Sequence, residues 1–309
     1  MLRYLWAKTT AISFIGFGLL ILPSPSAIAE TVLEKVDRTG KFIAGTSKDA
    51  LPFAYRNEDG ELVGYSVDIL NLITEQLEAE LGRDIELELI ALQPKERIPE
   101  LIDGDVDIVC DASSFTWKRD RQIDFSFSYS STGTRLLAKT GNDFWDAESL
   151  KGKRIGAIAK TTNEKSIRRA QPEAEMVIFR DRASGYEALQ NDEIDAFASD
   201  GILLESWLYN IPNPEDYQIM GDYSREGIAC MVAENNSQLL NVVNYSLVEF
   251  MQGFLNNQPE YVTIFERWFG AKGVLPLTQD LKTLMIDNMQ LLIDFKDQIA
   301  EERGIGNDE

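Results

Sequence analysis

The chain has 309 residues, 44% of them apolar and 26% charged, enough for one large or two ordinary domains with a substantial core. A formal net charge of −21 argues against nucleic-acid and anionic-membrane partners. Histidine is absent, which removes the Ser–His and Cys–His nucleophile pairs, the commonest general base and most zinc sites together. No catalytic residue, metal or cofactor is expected.

The first 29 residues read as a signal peptide. Arg3 and Lys8 precede an apolar run at 11–22 (AISFIGFGLLIL), Pro23-Ser-Pro-Ser26 breaks it, and Ala27-Ile-Ala29 supplies the small-x-small cleavage pattern. The run is short for a span of about 20 residues, so cleavage after Ala29 is favoured over an uncleaved anchor. The expected location is periplasmic or secreted, and loss of Arg3 and Lys8 takes the net charge from −21 to −23. Only Cys110 and Cys230 are present, both in apolar strand-like segments. Two cysteines in an exported chain favour a bridge over two buried thiols, provided their Cα atoms lie within about 7 Å.

In chain order, residues 30–40 read as a polar lead-in, 41–46 (KFIAGT) as a buried strand, 47–50 as a loop and 57–60 (NEDG) as a turn. Gly64 leads into a helix with the apolar stripe Val67, Leu70, Ile73, Leu77 and Leu81, ended by Gly82. Residues 85–89 alternate as a strand, 93–102 form a short helix and 106–110 a strand, so the alternation implies a mostly parallel sheet. After Lys139 it restarts: strands at 150–159, 175–179, 195–199 and 217–220, and helices after the capping-box pattern Thr161-Thr-Asn-Glu164, at 183–190 and at 201–210. A strand at 227–232 and helices at 237–254 and 260–269 follow. The tail from Leu275 carries Leu281, Leu284, Met285, Met289 and Leu292 on a helix expected to lie across the first lobe, and residues 307–309 should fray.

The stretch 110–139 (CDASSFTWKRDRQIDFSFSYSSTGTRLLAK) concentrates the chemistry. It offers Ser113, Ser114 and Thr116 just past an apolar strand, then Arg119, an aromatic-hydroxyl run at 125–129 and a strand-like segment at 133–139. Hydroxyls and amides at a strand end hydrogen-bond small anions, and an Arg can grip a carboxylate with two parallel bonds. These residues describe a small-carboxylate site.

That block resembles the family of periplasmic polar-amino-acid-binding proteins of ABC importers. So do, in order, Pro52-Phe53, Gly60-x-x-x-Gly64-Tyr-Ser-x-Asp68, Arg97-Ile-Pro-x-Leu101 and Ile194-Asp-Ala-Phe197 with Asp200. The resemblance spans about residues 40–269. Gly133-Thr-Arg-Leu-Leu137, Cys110 opposite Cys230-Met231 and the tail after Trp268-Phe269 are similar to its glutamate/aspartate-binding branch. It implies an α/β, two-lobed, type II periplasmic-binding-protein (Venus-flytrap) fold. Lobe 1 would be discontinuous, 30–132 plus 225–309, and lobe 2 would be 133–224, with hinge crossings near 130–135 and 222–226. Periodicity alone fits two sequential domains equally.

The resemblance further implies a receptor that closes around an L-amino acid and delivers it to a membrane permease, as a monomer, without catalysis. Glutamate or aspartate is the expected ligand, with a polar neutral amino acid such as glutamine next. The α-carboxylate would be held by Arg119, Thr161 and Thr162, and the α-ammonium by Asp200 and Ser114 with the backbone of Ala112. At the side-chain end, Arg97 and Arg182 would face a distal carboxylate, while Ser47 stands where that branch has an Arg. Lys160 replaces a Gly usual in the turn before Thr161. Taken singly, Arg119 reads as a surface salt-bridge residue, Thr162 as part of a plain helix cap, Asp200 as an N-cap, Arg97 as a structural helix residue and Arg182 as a loop charge. The alternatives are a cyclohexadienyl-dehydratase-like enzyme on the same fold and a sensor acting through a separate membrane partner.

Overall fold

A computed structural model describes residues 30–304. The expected signal peptide, its cleavage point and the fraying of residues 307–309 lie outside the described residues.

The expected polar lead-in is a helix, α1 (Val32–Thr39), opened by a capping box. Thr31 accepts from the Glu34 amide, and the Glu34 side chain accepts from the Thr31 amide. Gly40, at φ 68°, closes it. Strand β1 (Lys41–Thr46) follows, then three short strands, β2 (Asp49–Ala50), β3 (Ala54–Arg56) and β4 (Leu62–Val63), where a loop and turn were expected. Gly64, at φ 150°, starts α2 (Tyr65–Leu81); a Cβ there would lie 2.0 Å from the Phe53 carbonyl oxygen, so glycine is required.

The chain continues through β5 (Glu86–Ala91), α3 (Arg97–Asp103), β6 (Ile108–Val109), the ten-residue β7 (Ile123–Thr132) and β8 (Thr134–Lys139). Then come β9 (Arg154–Ile158), α4 (Thr162–Ala170), β10 (Glu175–Phe179), α5 (Arg182–Gln190), β11 (Ala196–Asp200), α6 (Gly201–Asn210) and β12 (Tyr217–Met220). The last elements are β13 (Glu226–Ala233), α7 (Ser237–Leu255), α8 (Pro259–Phe269) and α9 (Gln279–Gly304).

These strands build two five-stranded sheets, in the orders β5-β1-β6-β13-β7 and β10-β9-β11-β8-β12, and a small antiparallel sheet β2-β3-β4. In the first, β5, β1 and β6 are parallel and β13 runs against both β6 and β7. In the second, β10, β9 and β11 are parallel, with β8 and β12 antiparallel. The period-two geometry of strands divides the residues between two faces. On the second sheet, Leu136, Ala138, Ala196 and Ala198 join Ile167 of α4 in one cluster, whereas Leu137 and Phe197 join Leu189 of α5 and Leu204 of α6 in another. The main core lies against the first sheet and gathers Val36, Leu70, Ile73, Leu77, Phe250 and Phe269.

Met285, Met289 and Ile293 of α9 sit in that core at spacings of four residues, while Leu284, expected on the buried stripe, is 49% exposed. Phe53 is fully buried among Tyr65 and Tyr129. Cys110 and Cys230 form a disulfide, with Cα atoms 4.4 Å apart. It is located where β6 and β13 pair at Val109–Met231 and Ile108–Val232.

Two chain crossings join the sheets side by side. The first runs from β7 to β8 through Gly133, the second from β12 to β13 through residues 221–225. They are stitched by the Tyr223 amide donating to the Thr134 carbonyl at 2.9 Å and the Thr134 amide donating to Ser224 Oγ at 2.9 Å. A Cβ on Gly133 would stand 2.0 Å from the Ser224 carbonyl oxygen. The crossings therefore touch backbone to backbone only because that residue is glycine.

Candidate ligand site

Polar residues from both sheets converge where strands end. β1 and β6 run side by side, and the Cys110 amide donates to the Gly45 carbonyl at 3.1 Å. Ser47 follows β1 and Asp111 follows Cys110, so the two are neighbours, and Ser47 Oγ donates to Asp111 Oδ2 at 3.0 Å. Arg97, the first residue of α3, reaches in from the side. Its Nη2 lies 2.7 Å from Asp111 Oδ2 and donates to Ser47 Oγ at 2.8 Å, and its Nη1 donates to Ser113 Oγ at 3.2 Å. Ser113 Oγ completes the set by donating to Asp111 Oδ1. Asp111 is fully buried, and Arg97 is 4% exposed. Burial lowers the Arg97 guanidinium from its ordinary value, opposed by Asp111. A guanidinium so deep must be matched by an anion, because an isolated buried charge is prohibitively costly.

Arg182 repeats the pattern from the other sheet. It opens α5, is 4% exposed, and its Nη1 lies 2.8 Å from Asp49 Oδ1 while its backbone N–H donates to Asp49 Oδ2 at 3.1 Å. Burial works against its charge, yet Asp49 and Asp200 outweigh it and raise its pKa. From sequence, Arg97 and Arg182 were expected to offer positive charge to a distal ligand carboxylate; in the structure each is already engaged by a carboxylate of the chain. The Nε of each is buried without a partner.

Arg119 differs. It is half-buried, its Nη1 donates to the Ser114 carbonyl at 2.7 Å, and among the described residues no carboxylate lies within ion-pair distance of it. Ser114 is 2% exposed and held by a bridge to Ile228. Its Oγ lies 3.4 Å from Oγ1 of Thr162. Thr162 is the first residue of α4, whose N-cap, Thr161, accepts from the Glu164 amide at 3.3 Å and donates to the Ile158 carbonyl at 2.8 Å. The expected capping box is shifted, because the Glu164 carboxylate accepts from the Lys160 amide, one residue early. Lys160 adopts φ 65°, the left-handed region that favours glycine, and its side chain is exposed. The first turn of α4 leaves backbone N–H groups without intrahelical partners, a natural anion seat, and Thr162 in that turn stands beside Ser114.

Asp200 ends β11. It is 3% exposed and makes no cap bond to α6, so the N-cap role open from sequence is not its use. Asn163 hydrogen-bonds the carboxylate, but Oδ1 is buried with no partner. Burial, reinforced by Glu226, raises its pKa to about 7, with Arg182 pulling the other way. Ala112 is 6% exposed within the main core cluster and brings no polar side-chain atom.

Asp111, Asp49 and Glu226 were missed from sequence. Glu226 Oε1 accepts from Ser224 Oγ while Oε2 is buried and unpartnered. The Ser114–Thr162 and Arg182–Asp49 contacts each join a residue of the first-sheet region to one of the second-sheet region.

Comparison with known proteins agrees with this arrangement. The glutamate/aspartate import solute-binding protein of Salmonella typhimurium is 27% identical, over 92% of this chain and 95% of the relative. An ABC transporter glutamine-binding protein of Bacillus subtilis is 28% identical, over 76% and 84% respectively. The solved structure of an ancestral arginine-binding protein bound to glutamine superposes with a TM-score of 0.66 at 28% identity, covering 75% of this chain and 98% of that one. Residues 42–271 match the bacterial extracellular solute-binding proteins, family 3, and with two lobes of type II topology around this cleft the chain belongs to that family.

Proposed function

We propose that the protein is an extracytoplasmic receptor that binds one L-amino acid in the cleft and presents it to the membrane permease of an ABC importer. The observation that carries this reading is the pairing of an unmatched guanidinium, Arg119, with a buried carboxylate oxygen that has no partner, Asp200 Oδ1. A zwitterion completes both: its α-carboxylate takes Arg119 together with Thr162 and the first amides of α4, and its α-ammonium takes Asp200 and Ser114. The relatives named above, which bind glutamate or aspartate and glutamine, support this ligand class.

Residues 30–132 and 225–304 form one lobe and 133–224 the other, and the paired crossings around Gly133 and Ser224 act as the hinge for closure. The receptor is exported by cleavage after Ala29, acts as a monomer and catalyses no reaction. Micromolar affinity, about −8 kcal/mol, is the expected scale. Calorimetry of protein refolded to remove carried-over ligand, against a panel of L-amino acids, tests the reading. One-to-one binding that weakens at least tenfold in Arg119→Ala supports it, and silence for every amino acid refutes it.

A further inference from the structure

Four buried or half-buried carboxylates, Asp49, Asp111, Asp200 and Glu226, act electrostatically on three guanidiniums, Arg97, Arg119 and Arg182. A bound zwitterion adds no net charge, and its two α-groups use Arg119 and Asp200. What remains for the ligand's side chain, once Arg119 and Asp200 are used, is Arg97 held by Asp111 and Arg182 held by Asp49, each pair matched within itself. The fourth carboxylate, Glu226, makes no ion pair among the described residues and acts on Arg119 only from a distance, and its Oε2 is buried without a hydrogen-bond partner. A ligand carboxylate entering here meets no unmatched positive charge. To bind, it would have to displace Asp111 or Asp49, stranding a carboxylate that is fully buried in the first case. The two pairs nevertheless keep donors in reserve, because Nε of Arg97 and Nε of Arg182 are both buried without an acceptor. Donors whose charge is already cancelled suit a neutral acceptor, such as an amide carbonyl oxygen.

On this basis we infer that Asp111, with Asp49, is the specificity determinant of the site and that the ligand is an amino acid with an uncharged carboxamide side chain. The inference rests on the receptor reading above and narrows its ligand. It departs from the glutamate or aspartate expected from sequence. Ser47, which stands where an Arg was expected, fits the same account: its hydroxyl donates to Asp111 and accepts from Arg97, adding no charge.

The test is calorimetry of the exported protein, refolded free of ligand, with glutamine, asparagine, glutamate, aspartate and arginine. The expected result is glutamine or asparagine binding at least tenfold tighter than glutamate and aspartate. In Asp111→Asn, which frees Arg97 to accept an anion, the ratio of glutamate to glutamine affinity should rise at least tenfold. Asp49→Asn should move the ratio the same way at Arg182, and it serves where Asp111→Asn does not fold. Tighter binding of glutamate, aspartate or arginine by the unmodified protein overturns this inference while leaving the receptor reading intact. An unchanged ratio in both variants overturns the assignment of Asp111 and Asp49. Absence of binding to all five overturns this inference, and the receptor reading falls with it only if the full panel of L-amino acids is silent too.

Discussion

Ligand affinity should depend steeply on pH through a single group. The Asp200 carboxyl is pushed up to about 7 by burial and by Glu226, with Arg182, Asn163 and Arg97 pulling it down. An ammonium pairs only with the ionised carboxylate. Below the raised pKa, binding must first expel a proton, and each pH unit then costs about tenfold, or roughly 1.4 kcal/mol. Affinity at pH 5 should therefore be about a hundredfold weaker than at pH 8. At pH 6 most binding events should release close to one proton. Calorimetry in buffers of different ionisation enthalpy measures that proton directly, as a slope of observed heat against buffer enthalpy. Asp200→Asn should abolish the slope and weaken binding by about 2–5 kcal/mol, the usual cost of removing one partner of a buried charge pair. In the ligand-free protein the folded state keeps the proton up to about 7, whereas the unfolded chain loses it near 3.8, so stability falls as pH rises between those values and levels off above. Affinity that stays flat from pH 8 to pH 5, with no buffer-dependent heat, would refute the placement of the ammonium at Asp200.

Other perturbations test other parts of the structure. Cys110 and Cys230 close a loop with a sequence separation of 120, so reducing the bridge should cost about 4–5 kcal/mol on the chain-entropy account, read as a lower urea midpoint. Gly133→Ala places a Cβ 2.0 Å from the Ser224 carbonyl oxygen, which should cost about 1–3 kcal/mol of stability and loosen ligand binding, both measurable on the purified variant. Asp49→Ala removes the carboxylate that ties Arg182 across the cleft at 2.8 Å, and should speed ligand release in stopped-flow measurements, about tenfold for the loss of roughly 1.4 kcal/mol.

The elements with strong local signals were legible. The stripe from Val67 to Leu81 with Gly82 behind it is a helix ending where expected, because periodicity and the C-cap are local properties. Arg119 and Asp200 were named through the family resemblance; in the fold Arg119 lies in the turn before β7 and Asp200 ends β11. α1 was passed over as polar, although Thr31 and Glu34 stood at capping-box spacing. β7 was read only in part, because Ser126, Ser128, Ser130 and Ser131 weaken the apolar alternation, and its ten residues are held mainly by pairing with β13. The charge balance of the site was not legible at all. Asp111 answers Arg97 from 14 residues away, and Asp49 answers Arg182 from 133. Only the tertiary fold brings those partners together, so two arginines that look free in the sequence are matched in the folded protein.

We propose that one cleft holds both α-groups of an amino acid, Arg119 taking the carboxylate and Asp200 the ammonium. The most direct measurement compares, by calorimetry, the best-binding L-amino acid with two analogues, one lacking only the α-carboxylate and one lacking only the α-amino group. The account predicts one-to-one binding of the amino acid and at least a hundredfold loss for each analogue. It predicts further that Arg119→Ala no longer distinguishes the decarboxylated analogue, nor Asp200→Asn the deaminated one. Equal affinity for the amino acid and either analogue would contradict it.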